Sequence, residues 1–257
     1  MRLNKKFLMI GFLALLGVSL VACQREKQKL VCFGDSVTEG AMVAYQEDTY
    51  PQLVGKDLNA EVVQMGMSGQ TLCEGGHCES CMDDIDSIPT DADVVIVALG
   101  LNDWDQAVAD GVLAGRQEFP LGTNYYMLGE KGTEDTSTIR GAVAAYCQRI
   151  EEHLEKEDAT IYFMTPLICG WNRSLGIQSQ TDYDAEQTNI HGFTQEEMTN
   201  AIIDVCKEYD VEVIDLYHDT EVNESNAATY YTDGIHPNEK GHRVIADEII
   251  RVLQEKK

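Results

Sequence analysis

The chain has 257 residues, of which 44% are hydrophobic and 25% are charged, and its formal net charge is −25. This length suits one large domain or at most two small ones, and we expect one. So acidic a body is repelled by nucleic acid, which excludes a nucleic-acid-binding role. It also gains no attraction from an anionic bilayer surface.

The N-terminal residues have the pattern of an export signal. The basic segment MRLNKK precedes the apolar run FLMIGFLALLGVSL, which is too short and too terminal for an ordinary membrane span. The run LVAC ending at Cys23 resembles the bacterial lipobox, in which cleavage leaves the cysteine first and its sulfur receives a diacylglyceryl group. We expect a signal peptide at 1–22, a lipidated Cys23 with a short tether at 23–29, and a body held by lipid at the extracytoplasmic face of a bacterial cell membrane. An ordinary secretory peptide or a signal-anchor helix is the alternative.

Five continuous apolar runs predict strands at 30–33, 62–64, 94–99, 161–164 and 211–214. Unbroken rather than alternating hydrophobicity indicates strands covered on both faces, which is typical of a parallel sheet in an α/β protein. Helices are predicted between them. A stripe from Ile139 to Leu154 has caps at 136–138, Thr194 with Glu197 forms a capping box, and a last helix follows Asn238.

Two connections, 104–137 and 166–193, are longer than usual, and the second contains Trp171, Asn172 and Arg173. Both are expected to leave the sheet on its functional side and to shape a substrate site, with surface decoration as the alternative.

Of the eight cysteines, four are expected to be buried small hydrophobes: Cys32, Cys147, Cys169 and Cys206. Three more lie in CEGGHCESC, as Cys73, Cys78 and Cys81 around His77. Their spacing occurs in plant-type iron–sulfur proteins, and three thiols with an imidazole could bind zinc. Because an exported chain meets an oxidising space, one disulfide is the favoured interpretation, with free thiols and a metal as alternatives.

A serine hydroxyl follows the first predicted strand, as Ser36 in VCFGDSVTEG. A serine becomes a nucleophile when a base takes its proton and an acidic group orients that base. Asp233 and His236 lie three residues apart in YYTDGIHPNEKGH, before the last helix, so the carboxylate can reach Nδ1 while Nε2 faces outward. The other histidines compete for this role, but none is expected to have a carboxylate three residues before it in a loop entering a helix.

Donors for a developing oxyanion are predicted after the next two strands. Gly69 in MGMSGQT can bring its backbone N–H close to a ligand, and the Asn102 carboxamide in ALGLND can point at the same spot. With the Ser36 N–H, these residues form the predicted oxyanion hole. Asp35 and Asp103 are interpreted as local hydrogen-bonding supports.

These four segments, GDS, SGQT, GLND and DGIHP, resemble in order and spacing the four blocks of the SGNH (GDSL-type) hydrolases. The resemblance implies a three-layer, flavodoxin-like α/β/α sandwich with a five-stranded parallel sheet in a hydrolase domain at 30–257. It also implies ester hydrolysis through an acyl-enzyme, with Ser36 as nucleophile, His236 as general base and acid, and Asp233 as its partner. One departure is Gln64, where the second block often begins with an asparagine that braces the loop.

The expected function is extracytoplasmic hydrolysis of a short-chain ester of a carbohydrate or cell-envelope polymer. Acetyl is the favoured acyl group. A lysophospholipase or thioesterase acting on long acyl chains is one alternative, and a binding lipoprotein without turnover is another. No dinucleotide glycine fingerprint or P-loop occurs, and a serine mechanism needs no metal, so we expect no cofactor and no metal.

Overall fold

A five-stranded parallel sheet forms the centre of the computed structural model, which describes residues 27–109, 122–156 and 158–256. The strands are β1 Lys29–Gly34, β2 Glu61–Gly66, β3 Val94–Ala98, β4 Thr160–Met164, β5 Trp171–Asn172, β6 Ile177–Gln178 and β7 Glu212–Ile214. The strand order in the sheet is β2-β1-β3-β4-β7, and every neighbouring pair is parallel. A separate antiparallel hairpin pairs β5 with β6. The predicted parallel sheet is therefore confirmed.

The helices also follow the sequence pattern. Their bounds are α1 Ser36–Glu39, α2 Tyr50–Leu58, α3 Leu101–Asp105, α4 Ile139–His153, α5 Gln195–Glu208, α6 Leu216–Asp219 and α7 Glu239–Glu255. Thr138 caps α4, the capping box of Thr194 and Glu197 begins α5, and Asn238 caps α7. Each of these caps satisfies backbone N–H groups that a helix start leaves without a partner, which is why these boundaries were predictable.

Two apolar layers cover the sheet, one on each face. Alternate strand residues such as Val31 and Val95 face a core shared with α4 and α5. Their neighbours, such as Leu30 and Val94, face a second core shared with α2 and α7. Burial of each such side chain stabilises the fold by roughly 1.5–3 kcal/mol relative to exposure. The predicted three-layer α/β/α sandwich is confirmed.

The predicted disulfide in the cysteine cluster is wrong. Cys73, Cys78 and Cys81 are free thiols, and so are the other cysteines of the described residues. Cys73 and Cys81 are buried in the core on the α4 side, where burial raises the pKa of both thiols. The loop is closed by backbone hydrogen bonds instead, from Thr71 N to Glu79 O at 3.1 Å and from Cys81 N to Thr71 O at 3.3 Å.

The predicted signal peptide at 1–22 and the predicted lipidation site at Cys23 lie outside the described residues, as do residues 110–121 of the first long connection. Among the residues that are described, none of the helices has the length and apolar character needed to cross a membrane.

Candidate active site

The predicted site residues converge at the carboxyl edge of the sheet. Ser36 follows β1, Gly69 lies in the loop after β2, and Asn102 lies in α3 directly after β3. Because parallel strands end at the same edge, this topology brings together residues that are far apart in the sequence. Asp233 and His236 reach the same edge from the turn before α7.

Ser36 is held in a tight turn between β1 and α1. The Asp35 side chain caps α1, because its Oδ1 accepts a hydrogen bond from Val37 N at 2.9 Å. The helix ends after one turn at Gly40, whose φ of 84° is left-handed. Ser36 is therefore fixed at the first position of a very short helix, where it is 7% exposed.

A continuous hydrogen-bonded chain links Asp233, His236 and Ser36. Asp233 Oδ2 lies 2.7 Å from His236 Nδ1, and His236 Nε2 lies 3.2 Å from Ser36 Oγ. Asp233 Oδ1 accepts from the backbone N–H groups of Ile235 and His236, at 3.1 and 2.8 Å. Partial burial opposes ionisation of Asp233, but these hydrogen bonds outweigh it and lower the pKa of the carboxyl. A carboxylate only accepts, so the proton lies on Nδ1 and the Nε2 lone pair faces the serine.

The turn that carries this pair requires Gly234. Its φ is +100°, and a Cβ there would lie 1.7 Å from Ser179 O. Any other residue would push this turn away from the 166–193 connection. The glycine of the DGIHP block thus sets the position of Asp233 and His236.

The expectation that no other histidine has a carboxylate three residues before it in a loop entering a helix is wrong. Asp215 precedes His218 by three residues at the start of α6, and Asp215 Oδ2 lies 2.7 Å from His218 Nδ1. The Nε2 of His218, however, lies 3.6 Å from Glu196 rather than beside a serine. The spacing alone therefore does not identify a base, and the third partner distinguishes the two pairs.

The three predicted oxyanion donors lie on the loops around Ser36. Within the described residues, the backbone N–H groups of Ser36 and Gly69 donate to no protein acceptor. Gly69 has a φ of +82° and open space where a Cβ would be. Asn102 Nδ2 donates to Gln70 O at 2.9 Å, and its contact with Asp35 Oδ2 is 3.5 Å, which is long for a hydrogen bond. One N–H of the Asn102 carboxamide therefore remains weakly engaged beside the residue that precedes Ser36.

The residues interpreted as supports hold these loops in place. The carboxyl of Asp103 accepts from Leu72 N and Cys73 N, both at 2.9 Å, and so fixes the loop that follows Gly69. Gln64 Nε2 donates to Thr38 O at 2.6 Å and to Glu39 O at 2.9 Å. The glutamine that replaces the usual asparagine thus braces the end of α1. The supporting role of Asp103 is confirmed.

Asp35 and Asp103 carry unusual carboxyl groups. Both residues are almost fully buried, and burial raises the pKa of Asp35 to about 7 and that of Asp103 to about 6. The backbone hydrogen bonds that each accepts act in the opposite direction. Two acidic groups that titrate near neutrality therefore lie within the framework of the site.

The second long connection contacts the histidine. Trp171 Nε1 donates to Asp233 O at 2.8 Å, and the Trp171 ring lies edge-on to His236 with 6.2 Å between centroids. The prediction that 166–193 lies beside the site is confirmed for this part of the connection. Sequence reasoning missed Asp105 and Gln106, which contact Arg173 and Asn102. The sequence did contain a signal for them, because Asp105 and Gln106 are two polar residues within the otherwise apolar segment WDQAV.

The cysteine cluster forms no metal centre in the described residues, where no group of His, Cys, Asp and Glu side chains is placed to hold an ion. His77 Nε2 instead lies 3.3 Å from Gln106 Oε1, and Cys78 N donates to Tyr126 OH at 3.1 Å.

Curated relatives match part of the chain. It is 35% identical over 57 residues to "GDSL esterase/lipase WDL1" of Oryza sativa subsp. japonica, a match that covers 22% of each protein. It is 30% identical over 78 residues to "GDSL esterase/lipase CPRD49" of Arabidopsis thaliana, covering 30% of each. The matched segment thus spans less than a third of the length of these relatives.

Solved structures share the fold over nearly the whole chain. A protein from Lactobacillus plantarum is 24% identical with a TM-score of 0.69, covering 90% of this chain and 98% of the other. A possible lipase from Chitinophaga pinensis is 21% identical with a TM-score of 0.61, covering 89% and 98%. A carbohydrate acetylesterase family member from Sinorhizobium meliloti is 17% identical with a TM-score of 0.56, covering 89% and 98%.

A family model matches most of the chain. The matched residues, 32–244, contain every residue of the candidate site from Ser36 to His236. The family is described as the GDSL-like lipase/acylhydrolase family. The chain belongs to this family of ester hydrolases, which agrees with both its fold and the four sequence blocks at the carboxyl edge of its sheet.

Proposed function

We propose that this protein is a serine esterase that hydrolyses short-chain esters, with acetyl as the favoured acyl group, on a carbohydrate or cell-envelope polymer. The observation that carries the proposal is the hydrogen-bonded chain from Asp233 through His236 to Ser36, with contacts of 2.7 and 3.2 Å. Such a chain supplies a nucleophile, a base and a group that orients the base.

The reaction would proceed through an acyl-enzyme. Ser36 Oγ attacks the ester carbonyl carbon while His236 Nε2 takes the hydroxyl proton. The C–O bond to the alcohol breaks, and the leaving alcohol takes the proton from Nε2. Water then attacks the acyl group and gives a proton to Nε2. The acid leaves, and Ser36 Oγ regains its proton.

The negative charge on the carbonyl oxygen would be met by three donors, namely the N–H groups of Ser36 and Gly69 and the Asn102 carboxamide. The two backbone donors have no competing protein acceptor within the described residues. Removal of one strong donor from such a site typically costs roughly 3–4 kcal/mol of transition-state stabilisation.

A structural relative supports the choice of substrate. The S. meliloti protein described as a carbohydrate acetylesterase family member shares the fold, which supports a carbohydrate ester as substrate.

A long-chain ester is the second candidate, because apolar side chains are exposed on the loops after α1 and β2. Met42, Tyr45 and Met67 are 60%, 62% and 49% exposed. An acyl chain lying along this surface would suit a lysophospholipase or thioesterase.

A series of p-nitrophenyl esters from acetate to palmitate separates these candidates. We expect kcat/KM to be highest for acetate and to fall with chain length, and the Ser36→Ala variant to lose activity roughly 10³-fold or more. A maximum at long chains would overturn the short-chain assignment. Equal, slow hydrolysis by wild type and Ser36→Ala would instead favour a binding protein without turnover.

We also propose that Cys23 carries the lipid anchor and that the body lies at the extracytoplasmic face. The proposal rests on the basic, apolar and LVAC order of the N-terminal sequence. Two acyl chains would hold the protein stably at a membrane. In a bacterial host, the Cys23→Ser variant should no longer be found in the membrane fraction. A variant that remains there would contradict lipid anchoring at Cys23.

A further inference from the structure

We propose that Arg173, held by Asp105, is a positioning residue that keeps the Asn102 carboxamide turned with its N–H groups toward the serine side. The inference rests on the proposed esterase function, in which Asn102 is an oxyanion donor. Neither Arg173 nor Asp105 would touch the reacting atoms.

Asn102 is useful as a donor in only one of its two amide orientations. Its Oδ1 accepts from Gln106 Nε2 at 3.0 Å and from Arg173 Nη2 at 3.2 Å. Both contacts lie on one side of the carboxamide, while Nδ2 donates to Gln70 O on the other. A turn of 180° would exchange Oδ1 and Nδ2 and place an acceptor where the oxyanion develops.

Two partners of Asn102 distinguish the two orientations, namely Arg173 and the backbone carbonyl of Gln70, which only accepts. Gln106 could turn its own amide and accept from a reversed Asn102, because a carboxamide has both a donor and an acceptor end. A guanidinium has donors only, so a reversed Asn102 would set its NH2 group against the Arg173 N–H groups. Gln106 therefore follows Asn102, whereas Arg173 and Gln70 O each disfavour the reversed amide.

Asp105 fixes Arg173 to the helix that carries Asn102. The Asp105 side chain is fully buried and accepts from Arg173 N at 2.8 Å and from Arg173 Nε. Both Asn102 and Asp105 belong to α3, so the arginine is tied to the same short element by two contacts. The Arg173 side chain is 33% exposed, and its ion pair with the Asp105 carboxylate restricts the conformations that it can adopt.

The hairpin of β5 and β6 contacts both halves of the site. Arg173 follows β5, and its guanidinium carbon lies 5.4 Å from the centre of the Trp171 ring. Trp171 in turn contacts His236 and donates to Asp233 O. One short segment thus supports the base through Trp171 and the oxyanion donor through Arg173.

The test is a double-mutant cycle in the full chain, with kcat and KM measured on p-nitrophenyl acetate. Arg173→Lys keeps a positive charge for Asp105 but loses the rigid fork that also reaches Asn102. We expect kcat to fall roughly 10-fold or more while KM changes less than about threefold. In the Asn102→Ala background, the same substitution should change kcat less than about threefold, because no carboxamide remains to be oriented.

Asp105→Asn provides a second variant, because it weakens the hold on Arg173 without changing the arginine. As a single substitution, Asp105→Asn should also lower kcat. In the Asn102→Ala background, it should change kcat little. Arg243→Lys is the matched control, since Arg243 also pairs with aspartates, Asp57 and Asp247, but on α2 and α7. It should leave kcat unchanged.

Two outcomes would overturn the inference: wild-type kcat in Arg173→Lys or Asp105→Asn, or an equal loss of kcat with and without Asn102. If Ser36→Ala hydrolysed the ester at the wild-type rate, the proposed function would fail and this inference with it. If Ser36→Ala is inactive and Arg173→Lys is fully active, the inference alone fails.

Discussion

Two aspartate–histidine pairs in this chain have almost the same local geometry and different surroundings. In each, the carboxylate lies 2.7 Å from Nδ1 of a histidine three residues later. Only His236 has a serine hydroxyl at Nε2, whereas His218 faces Glu196. The chemistry of a histidine is therefore decided by what its second nitrogen meets, and the second pair serves as an internal control.

Asp233→Asn should lower kcat roughly 10²- to 10⁴-fold, because an amide in place of the carboxylate no longer fixes the Nδ1–H tautomer or stabilises the imidazolium. The measurement is kcat on p-nitrophenyl acetate for this variant and for Asp215→Asn. The control should keep wild-type kcat. Equal losses in both variants, or none in either, would contradict the assignment of Asp233.

The catalytic candidates could be predicted from the sequence because each lies within a short, recognisable block. The contacts of Arg173 could not, because they join residues 68 and 71 positions apart and depend on where the β5–β6 hairpin folds. The prediction of a disulfide in the cysteine cluster was wrong for a different reason. Its spacing permits several chemistries, and only the fold shows that Cys73 and Cys81 face the core.

At the scale of elements, α7 links the site to the rest of the fold. It begins just after His236, and its buried face packs against α2. His242, which is fully buried, joins the two helices, because its Nδ1 accepts from Tyr50 N at 3.1 Å. Its Nε2 has no partner among the described residues. A protonated His242 would therefore place an unpaired charge in this interface.

Burial lowers the pKa of His242 from 6.5 to about 4, with a further contribution from His236. Between these values the unfolded chain binds a proton that the folded chain does not, so the free energy of unfolding falls as pH falls from about 6.5 to 4. The loss attributable to His242 is about 3 kcal/mol. Asp35 and Asp103 act with the opposite sign, because their folded pKa values are raised.

The contribution of His242 is isolated by comparison with His242→Asn, whose Oδ1 can still accept from Tyr50 N. Urea unfolding should show that lowering the pH from 7 to 4.5 decreases the free energy of unfolding of wild type relative to that of His242→Asn, because the contributions of Asp35 and Asp103 are common to both proteins. If the free energy of unfolding changed between pH 7 and pH 4.5 by the same amount in His242→Asn as in wild type, the role given to His242 would be contradicted.

The elements themselves were largely predictable. Strands buried on both faces give continuous apolar runs, and helix caps such as Thr194 and Asn238 have their own sequence patterns. The β5–β6 hairpin was not predicted, because strands of two residues leave no periodicity to detect.

At the scale of the whole molecule, the sheet is a scaffold that brings distant residues to one edge. Ser36 and His236 are 200 positions apart, and their contact depends on the order β2-β1-β3-β4-β7 and on the last helix. The nucleophile lies directly after the first strand of the described chain, 13 residues beyond the proposed lipid anchor at Cys23. We propose that this distant pair makes Ser36 reactive.

Peptide-resolved mass spectrometry after treatment with a serine-directed phosphonate measures that reactivity at Ser36 itself. Ordinary serine hydroxyls do not react with such reagents, whereas one activated by His236 should. We predict a single covalent adduct on Ser36 that appears in proportion to the loss of esterase activity and is absent from His236→Ala. Loss of activity with Ser36 unmodified, or an adduct on Ser36 that persists in His236→Ala, would contradict the account.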